Sequence, residues 1–489
     1  MRGADLLRHL WRSHRLFGIA LVAGAAVRLL VQLSFPPAFA FSDGPTYLDL
    51  ADTLHPSQDR PIGYSIVLRA LWVFGDRLDV VTVAQHLLGL ATAVVAYAVL
   101  RRRGVGPVLA TVATLPMLFD AMELVLEHSV LSDVLFDLLI IVVVAVLAWN
   151  PVPRLRATAA AGLLLGAATI VRLVGGPTVV VVAVFLLLAL PTLRSRAVHV
   201  GVLVAAFVLP LAAYAGWYHL ENGAWALTQS GGRAIYIRST SFVDCTTLSL
   251  PSYERTLCPR AAPDERGDPT FYGYHSSYTV SQLAPPPGIS NDEAMRDFGE
   301  RAIANQPLDY LRIVARDFVA PFVRLDRSDF DEYSTADKWT FAYWVDYQTT
   351  EYTEPAYAAH GGEMPTTRHP TGDWLAAYGR AVYVPGPADL ALGLLALLGL
   401  AVRRRGGPPL RAATFLCLAL PLLLILVPDV TAQFTWRYQL PLTGLLPMAA
   451  AFGLTRLLGA RSRDEEAAVA AGGSQEPELA SVSSSSNAL

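Results

Sequence analysis

The chain has 489 residues, of which 53% are hydrophobic and only 16% charged, and its mean hydropathy is +0.40. Ordinary soluble domains do not reach that balance, so a water-soluble globular reading is excluded. The formal net charge of −3 says little, because the charges are sorted by compartment, and no nucleic-acid partner is expected.

A helix needs about 20 apolar residues to cross roughly 30 Å of hydrocarbon. Ten stretches of that character follow one another: 17–34, 79–100, 107–122, 131–149, 158–173, 177–193, 200–218, 385–402, 412–428 and 441–459. Arg8, Arg12 and Arg15 precede the first stretch. Every second gap thereafter is basic: Arg101 to Arg103, Arg154 and Arg156, Arg194 and Arg196, Arg403 to Arg405 with Arg411, and Arg461 with Arg463. Positive charge stays on the cytoplasmic side, which puts both termini inside and the gaps 35–78, 120–130, 174–176, 219–384 and 429–440 outside. The expected protein is all-α and polytopic, a multi-pass cell-membrane protein with about ten transmembrane helices and a mixed extracytoplasmic segment. It divides into a seven-span module at 1–218 with amphipathic helices in 44–75, the outer segment 219–384, a three-span module at 385–459 and a disordered cytoplasmic tail at 460–489.

In chain order, the first apolar run ends at Ala38-Phe39-Ala40, which mimics a signal-peptidase site. The run is long enough to span and many spans follow, so it is read as a retained helix. After Ser42-Asp43, the residues Tyr47, Leu50, Ala51 and Leu54 share one helical face, Asp49 and Asp52 take the other, and Pro56 stops the helix. A second amphipathic stretch runs from Ile62 to Phe74. Two such helices between spans should lie along the membrane surface and frame a shallow cavity at the outer leaflet.

Within 219–384 no run could cross a bilayer. Its middle, Asp292 to Val323, reads as a helical hairpin broken at Pro307, with an amphipathic second half. Cys245 and Cys258 lie in this oxidising compartment, where a disulfide competes with two free thiols, and the bridge is the reading taken. Cys417, inside a span, is core filler. The acidic stretch 325–333 (LDRSDFDEY) lacks the glycine and spacing of a calcium loop and reads as a solvated loop.

Several residues could carry chemistry. Asp43 lies just past the first span, level with lipid headgroups, where a lipid-linked substrate presents its reactive carbon; a general base works there. The competing reading is a helix N-cap, since Gly44-Pro45 follows. Asp133, near Glu127 and His128, is either an acid at membrane depth with a function or a cap on the fourth span. Arg60, Arg172 and Arg437 depart from the compartment rule. Arginine binds phosphate bidentately and keeps its charge, so outward arginines at this depth suit a lipid phosphate; the alternative is a snorkelling or ion-paired side chain. No phosphate-binding glycine loop, zinc-spaced Cys/His cluster or serine-hydrolase elbow is evident in the sequence, which argues against a cytoplasmic nucleotide-driven mechanism.

Taken in order, the segments resemble the GT-C superfamily of integral membrane glycosyltransferases, and within it the polyprenyl-phosphate-sugar group that includes protein O-mannosyltransferases and aminoarabinose transferases. The resemblance is carried by SDGPTYLDLAD, with Asp43, Tyr47 and Ala51, and by DRPIGYSIVLRALWVFG, with Arg60 and Tyr64. VAQHLLGLATAVVAYAVL, SVLSDVLF with Asp133, GAATIVRLVGGPT with Arg172, AIANQPLDYLRIVARDF, and RYQLPLTGLLPMAAAFG with Arg437 and Tyr438 continue it. It covers roughly two-thirds of the chain by ordered pattern. One departure matters: many relatives have Asp-Glu where this chain has Asp43-Gly44, which leaves a divalent cation as a possible cofactor in doubt.

The resemblance implies inverting sugar transfer from a polyprenyl-phosphate donor to an extracytoplasmic hydroxyl of a glycan, lipid or protein, at a site among membrane lipid. Asp43 and Asp133 are its expected catalytic acids. Tyr47, Arg60, Tyr64, Glu127, His128, Arg172, Arg437 and Tyr438 are expected to bind substrate. The alternatives are a transporter or flippase of lipid-linked saccharides, and a polysaccharide polymerase or ligase.

Overall fold

The structure, a computed structural model, describes residues 3–274, 279–325, 339–341, 350–402 and 410–472. Most of the acidic stretch 325–333, Arg403 to Arg405 and the end of the tail lie outside the described residues. Among those described there is no strand, only an isolated bridge between Phe39 and Ser129.

The helices run in the order α1 (Gly3–Ser34), α2 (Gly44–Thr53), α3 (Gly63–Leu71), α4 (Leu78–Arg102), α5 (Pro107–Phe119) and α6 (Ala121–Glu127). They continue with α7 (Asp133–Ala148), α8 (Leu155–Val171), α9 (Thr178–Ala189) and α10 (Leu193–Asn222). The segment from 219 onward holds α11 (Gly231–Thr240), α12 (Pro269–Tyr274), α13 (Asn291–Asn305), α14 (Pro307–Val323), α15 (Glu354–Ala359) and α16 (Thr371–Ala381). The chain then returns through α17 (Gly386–Ala401), α18 (Leu410–Thr431) and α19 (Leu440–Gly472).

This is an all-α, polytopic membrane fold. Each of the expected apolar stretches is helical, but the count of ten spans is not established. Among the described residues, five helices are long and apolar enough to cross a membrane, or up to seven if the bent pairs α5/α6 (53°) and α16/α17 (50°) each count as one. Helices α7, α8 and α9 have 16, 17 and 12 residues, short of the roughly 20 of a straight crossing. Gly175-Gly176-Pro177 interrupts between α8 and α9, and Pro116 precedes the break at Asp120 between α5 and α6. At the other end of the chain, α19 runs to Gly472, past the point where the sequence reads as disordered; the alanines after Arg463 are strong helix formers.

Lipid provides no hydrophobic drive between helices, so close backbone approach has to hold them. A Cβ on Gly166 would lie 2.3 Å from Pro210 Cγ, which brings α8 against α10, and one on Gly399 would lie 2.3 Å from Gly453 Cα, which brings α17 against α19.

The 219–384 segment has its own small core around Tyr236, Leu257, Met295 and Phe298, with Cys245 and Cys258 joined by a disulfide at its edge. The hairpin read at 292–323 is α13 and α14, and Ser290 and Glu293 close α13 with a reciprocal cap. Buried Arg238 fastens the segment to the membrane helices. It donates to Asp317 Oδ2 at 2.8 Å and to the Asp429 carbonyl, on α18, at 2.9 Å.

The loop between α1 and α2 is pinned from two sides. Phe39 exchanges backbone bonds with His128 and Val130 (3.0 and 2.9 Å), while the Tyr357 hydroxyl accepts from Ala40 N at 2.9 Å and donates to Ala38 O at 3.2 Å. Ser42, at φ 56°, is left-handed without being glycine, a conformation costing about 1–3 kcal/mol that only a fixed surrounding can impose. The next residue is Asp43.

Candidate active site

Asp43 occupies the N-cap position of α2, yet its side chain makes no capping bond. Its two carboxylate oxygens face two guanidiniums instead: Arg60 Nη2 lies 2.6 Å from Oδ1, and Arg437 Nη2 donates to Oδ2 at 2.7 Å. Arg60 comes from the turn between α2 and α3 and Arg437 from the short turn before α19, so residues nearly four hundred positions apart meet on one acid. Burial pushes the Asp43 carboxyl up, but the charges of Arg60 and Arg437 outweigh it and hold the group well below the usual carboxylate range.

A second acid lies beside the first. Asp133, in the first turn of α7, pairs with Arg172 at the end of α8. The Tyr438 ring joins the two pairs, with Arg172 and Arg437 each 5.5 Å from its centroid. Trp339 receives the Arg437 guanidinium at 5.4 Å. On the other flank the Tyr47 hydroxyl meets Ser132 Oγ at 3.1 Å, and the Tyr47 ring stands edge-on to Tyr64, whose hydroxyl donates to Gln85 Oε1 at 2.8 Å. Asp43, Asp133, Arg60, Arg172, Arg437, Tyr47, Tyr64 and Tyr438 thus form one contiguous group.

Arg437 is the least satisfied member. Its side chain is only 9% exposed and one nitrogen serves Asp43, while Nε and Nη1 are buried without a hydrogen-bond partner. Each such donor costs about 1–3 kcal/mol when nothing accepts from it. An incoming anion would relieve that cost.

Glu127 and His128 are not in this group. Glu127 Oε1 accepts from Arg28 at 2.5 Å and Oε2 meets His86 Nδ1 at 2.7 Å. His86 Nε2 lies 3.3 Å from His128 Nδ1, and His128 Nε2 lies 2.6 Å from the Phe35 carbonyl oxygen. Both residues are fully buried, so their expected contact with substrate finds no support; burial has spent their polar atoms on α1 and α4. They sit behind the loop that carries Asp43, because the His128 and Val130 backbone holds Phe39.

Sequence reading passed over Arg28, His86, Gln85, Ser132 and Trp339. Arg28 and His86 carried a visible signal, a polar group inside an apolar run. For Ser132 and Trp339 there was none, since only the fold brings them to Tyr47 and Arg437.

The residues do not fit a metal. Both acids face guanidiniums, Gly44 stands beside Asp43, and no group of three His, Cys, Asp or Glu side chains able to hold an ion occurs among the described residues. The chemistry on offer is a pair of arginine-held carboxylates in a cationic, aromatic-walled group against the 219–384 segment.

Fold and site together define a class: a polytopic helical membrane protein with a buried cluster of acids and arginines at one end of its bundle. No protein-family model and no curated protein matches the sequence. Among solved structures the chain is similar to ArnT from Cupriavidus metallidurans in the apo state, at 14% identity and TM-score 0.37 over 90% of this chain and 76% of that one. It is similar to the same protein bound to undecaprenyl phosphate, at 16% and 0.35 over 94% and 81%. The S. cerevisiae protein O-mannosyltransferase Pmt1-Pmt2 complex bound to the sugar donor matches at 16% and 0.35 over 49% of this chain, which spans only 37% of the yeast one.

Proposed function

We propose that the chain is an inverting glycosyltransferase of the extracytoplasmic face, which moves a sugar from a polyprenyl-phosphate donor to an acceptor hydroxyl. The observation that carries the reading is Arg437, with two buried donors left over beside an acid that two arginines already hold. A phosphate would take up those donors, bidentately, with Arg60 and Arg172 at its other oxygens.

Asp43 is then the general base. While Arg60 and Arg437 grip it, the carboxylate is a weak one. As they turn to the phosphate, its burial is no longer opposed and its basicity rises toward what proton abstraction needs. The acceptor oxygen attacks the anomeric carbon, its proton passes to Asp43, and the bond from that carbon to the phosphate oxygen breaks with the electron pair on the phosphate. The guanidiniums, once turned to the phosphate, oppose this charge as it develops. Asp133 keeps Arg172 aimed at the group; Tyr438 and Trp339 wall it.

Labelled polyprenyl-phosphate sugar mixed with detergent-purified protein tests the reading. Donor consumption without a membrane gradient supports an enzyme over a transporter. Parental turnover by Asp43→Asn protein would discard the assignment.

A further inference from the structure

The charges at the site can be counted. Among the described residues in mutual contact there, Arg60, Arg172 and Arg437 oppose Asp43 and Asp133, an excess of one positive charge. Tyr47 reaches Asp43 from α2 and Arg172 acts on it from α8, while Asp137 lies one turn deeper along α7. Asp137 belongs to none of these three ion pairs, and its Oδ1 is buried without a hydrogen-bond partner. Tyr438, Ser42 and Ser132 add no charge.

That excess matches a phosphodiester, which carries a single negative charge. It does not match a phosphate monoester, which carries close to two above a second pKa of about 6. Sugar transfer converts one into the other, so the leaving group gains a charge inside a buried site where an unmatched charge is costly. Asp43 loses a charge in the same step, by taking the acceptor's proton. Three negative charges face three guanidiniums before transfer and after it, with Arg60 and Arg437 passing from the carboxylate to the phosphate.

Resting on the glycosyltransferase reading, we infer that product release is coupled to a proton: the prenyl monophosphate is held only together with the proton that Asp43 received. Binding that product takes up one proton from solution, and binding the diester donor takes up none. Product affinity therefore falls about tenfold for each pH unit above the second phosphate pKa, whereas donor affinity stays flat. A rising external pH expels the product and favours turnover.

The probes are a short-chain prenyl monophosphate and its methyl phosphodiester, titrated calorimetrically into the full-length protein at pH 8 in buffers of different ionisation enthalpy. The expected uptake is one proton for the monophosphate and zero for the diester. Asp43→Asn leaves three arginines against Asp133 alone, so this variant should bind the monophosphate dianion with no proton uptake and at least tenfold more tightly. Equal uptake for the two probes in the parent protein would overturn the inference, and so would uptake that persists in Asp43→Asn. Failures separate cleanly. If the parent protein consumes no polyprenyl-phosphate sugar, the glycosyltransferase reading falls, and if Asp43→Asn transfers sugar at the parental rate, Asp43 is not the base and the coupling falls with it. If that variant is inactive and the parent binds monophosphate without a proton, only the coupling falls. If neither probe binds, the phosphate site itself is refuted.

Discussion

Two buried ionic clusters lie on either side of the loop between α1 and α2, and they differ in what they leave unfinished. Behind the loop, Arg28 donates to the carbonyls of Gly24, Leu118 and Met117 (3.2, 2.9 and 3.0 Å) as well as to Glu127. It thereby receives carbonyls freed at the end of α5 by the bend into α6. Glu127, His86 and His128 extend the chain to the Phe35 carbonyl, and each partner's second atom is used in turn. In front of the loop, Arg437 uses one nitrogen of three. Both clusters pair arginine with acid in a largely buried setting, the rear one more deeply than the front. Arg28 leaves Nε alone without a partner while Arg437 leaves Nε and Nη1, and that difference in saturation is what separates a fastening from a binding site.

The largest effect expected from breaking this comparison is on turnover. General-base catalysis supplies about 10²–10⁴ in rate, so Asp43→Asn should lose at least that in kcat with the melting temperature little changed. A variant that loses stability instead would place Asp43 with the fastenings. Removing one partner of a buried pair costs about 3–5 kcal/mol, which makes Glu127→Leu the counterpart. Its thermal unfolding should fall steeply, and whatever protein folds should keep its affinity for a prenyl monophosphate. Loss of that affinity at parental stability would return Glu127 to the substrate.

Arg437→Lys keeps the charge and removes the fork. Hydrogen bonds to charged groups are worth about 1.5–3 kcal/mol, so kcat/KM should fall about tenfold to a hundredfold; a parental value would mean that the unpartnered nitrogens hold nothing. Gly89→Ala acts from the other cluster. Its Cβ would lie 1.8 Å from Glu127 Oε1, and overpacking of this kind costs about 1–3 kcal/mol. The melting temperature should drop by less than with Glu127→Leu, and an unchanged value would show that the Arg28–Glu127 pair tolerates displacement.

Much of this was legible before the structure, for reasons specific to each residue. Apolar runs of membrane length announce helices, and Asp43, Arg60, Asp133, Arg172 and Arg437 stood out because a charge at that depth needs a reason. What sequence could not supply was pairing. Asp43 by its spacing read first as a cap, and the placement of Arg437, from the far end of the chain, gives its second oxygen a partner. Glu127 and His128 lie near Asp133 in sequence, and sequence alone does not tell which way they face. The turn at 128–132 points them back toward α1 and α4 while Ser132 and Asp133 point forward. The span count is left unestablished by local breaks, since composition alone does not locate where a proline or a glycine pair ends a helix.

The smallest effect tests how the 219–384 segment is held against the site. His360, just past α15, is buried between Asp76 Oδ1 at 2.6 Å and Asp52 Oδ2 at 3.5 Å, and its ring stacks on Trp72, with Arg69 over the same indole. Arg77 approaches from beside Gly361. Three residues earlier, Tyr357 holds the backbone at Ala38 and Ala40, so the His360 contact anchors the strap that fixes the Asp43 loop. Both aspartates are about half exposed, and ion pairs at such positions are worth roughly 0.2–1 kcal/mol. His360→Gln should therefore speed amide exchange through residues 354–362 by no more than about fivefold, with a similarly small loss of kcat. A loss as large as that of Asp43→Asn would mean that the strap, and not the Arg437–Asp43 contact, sets the geometry of the acid.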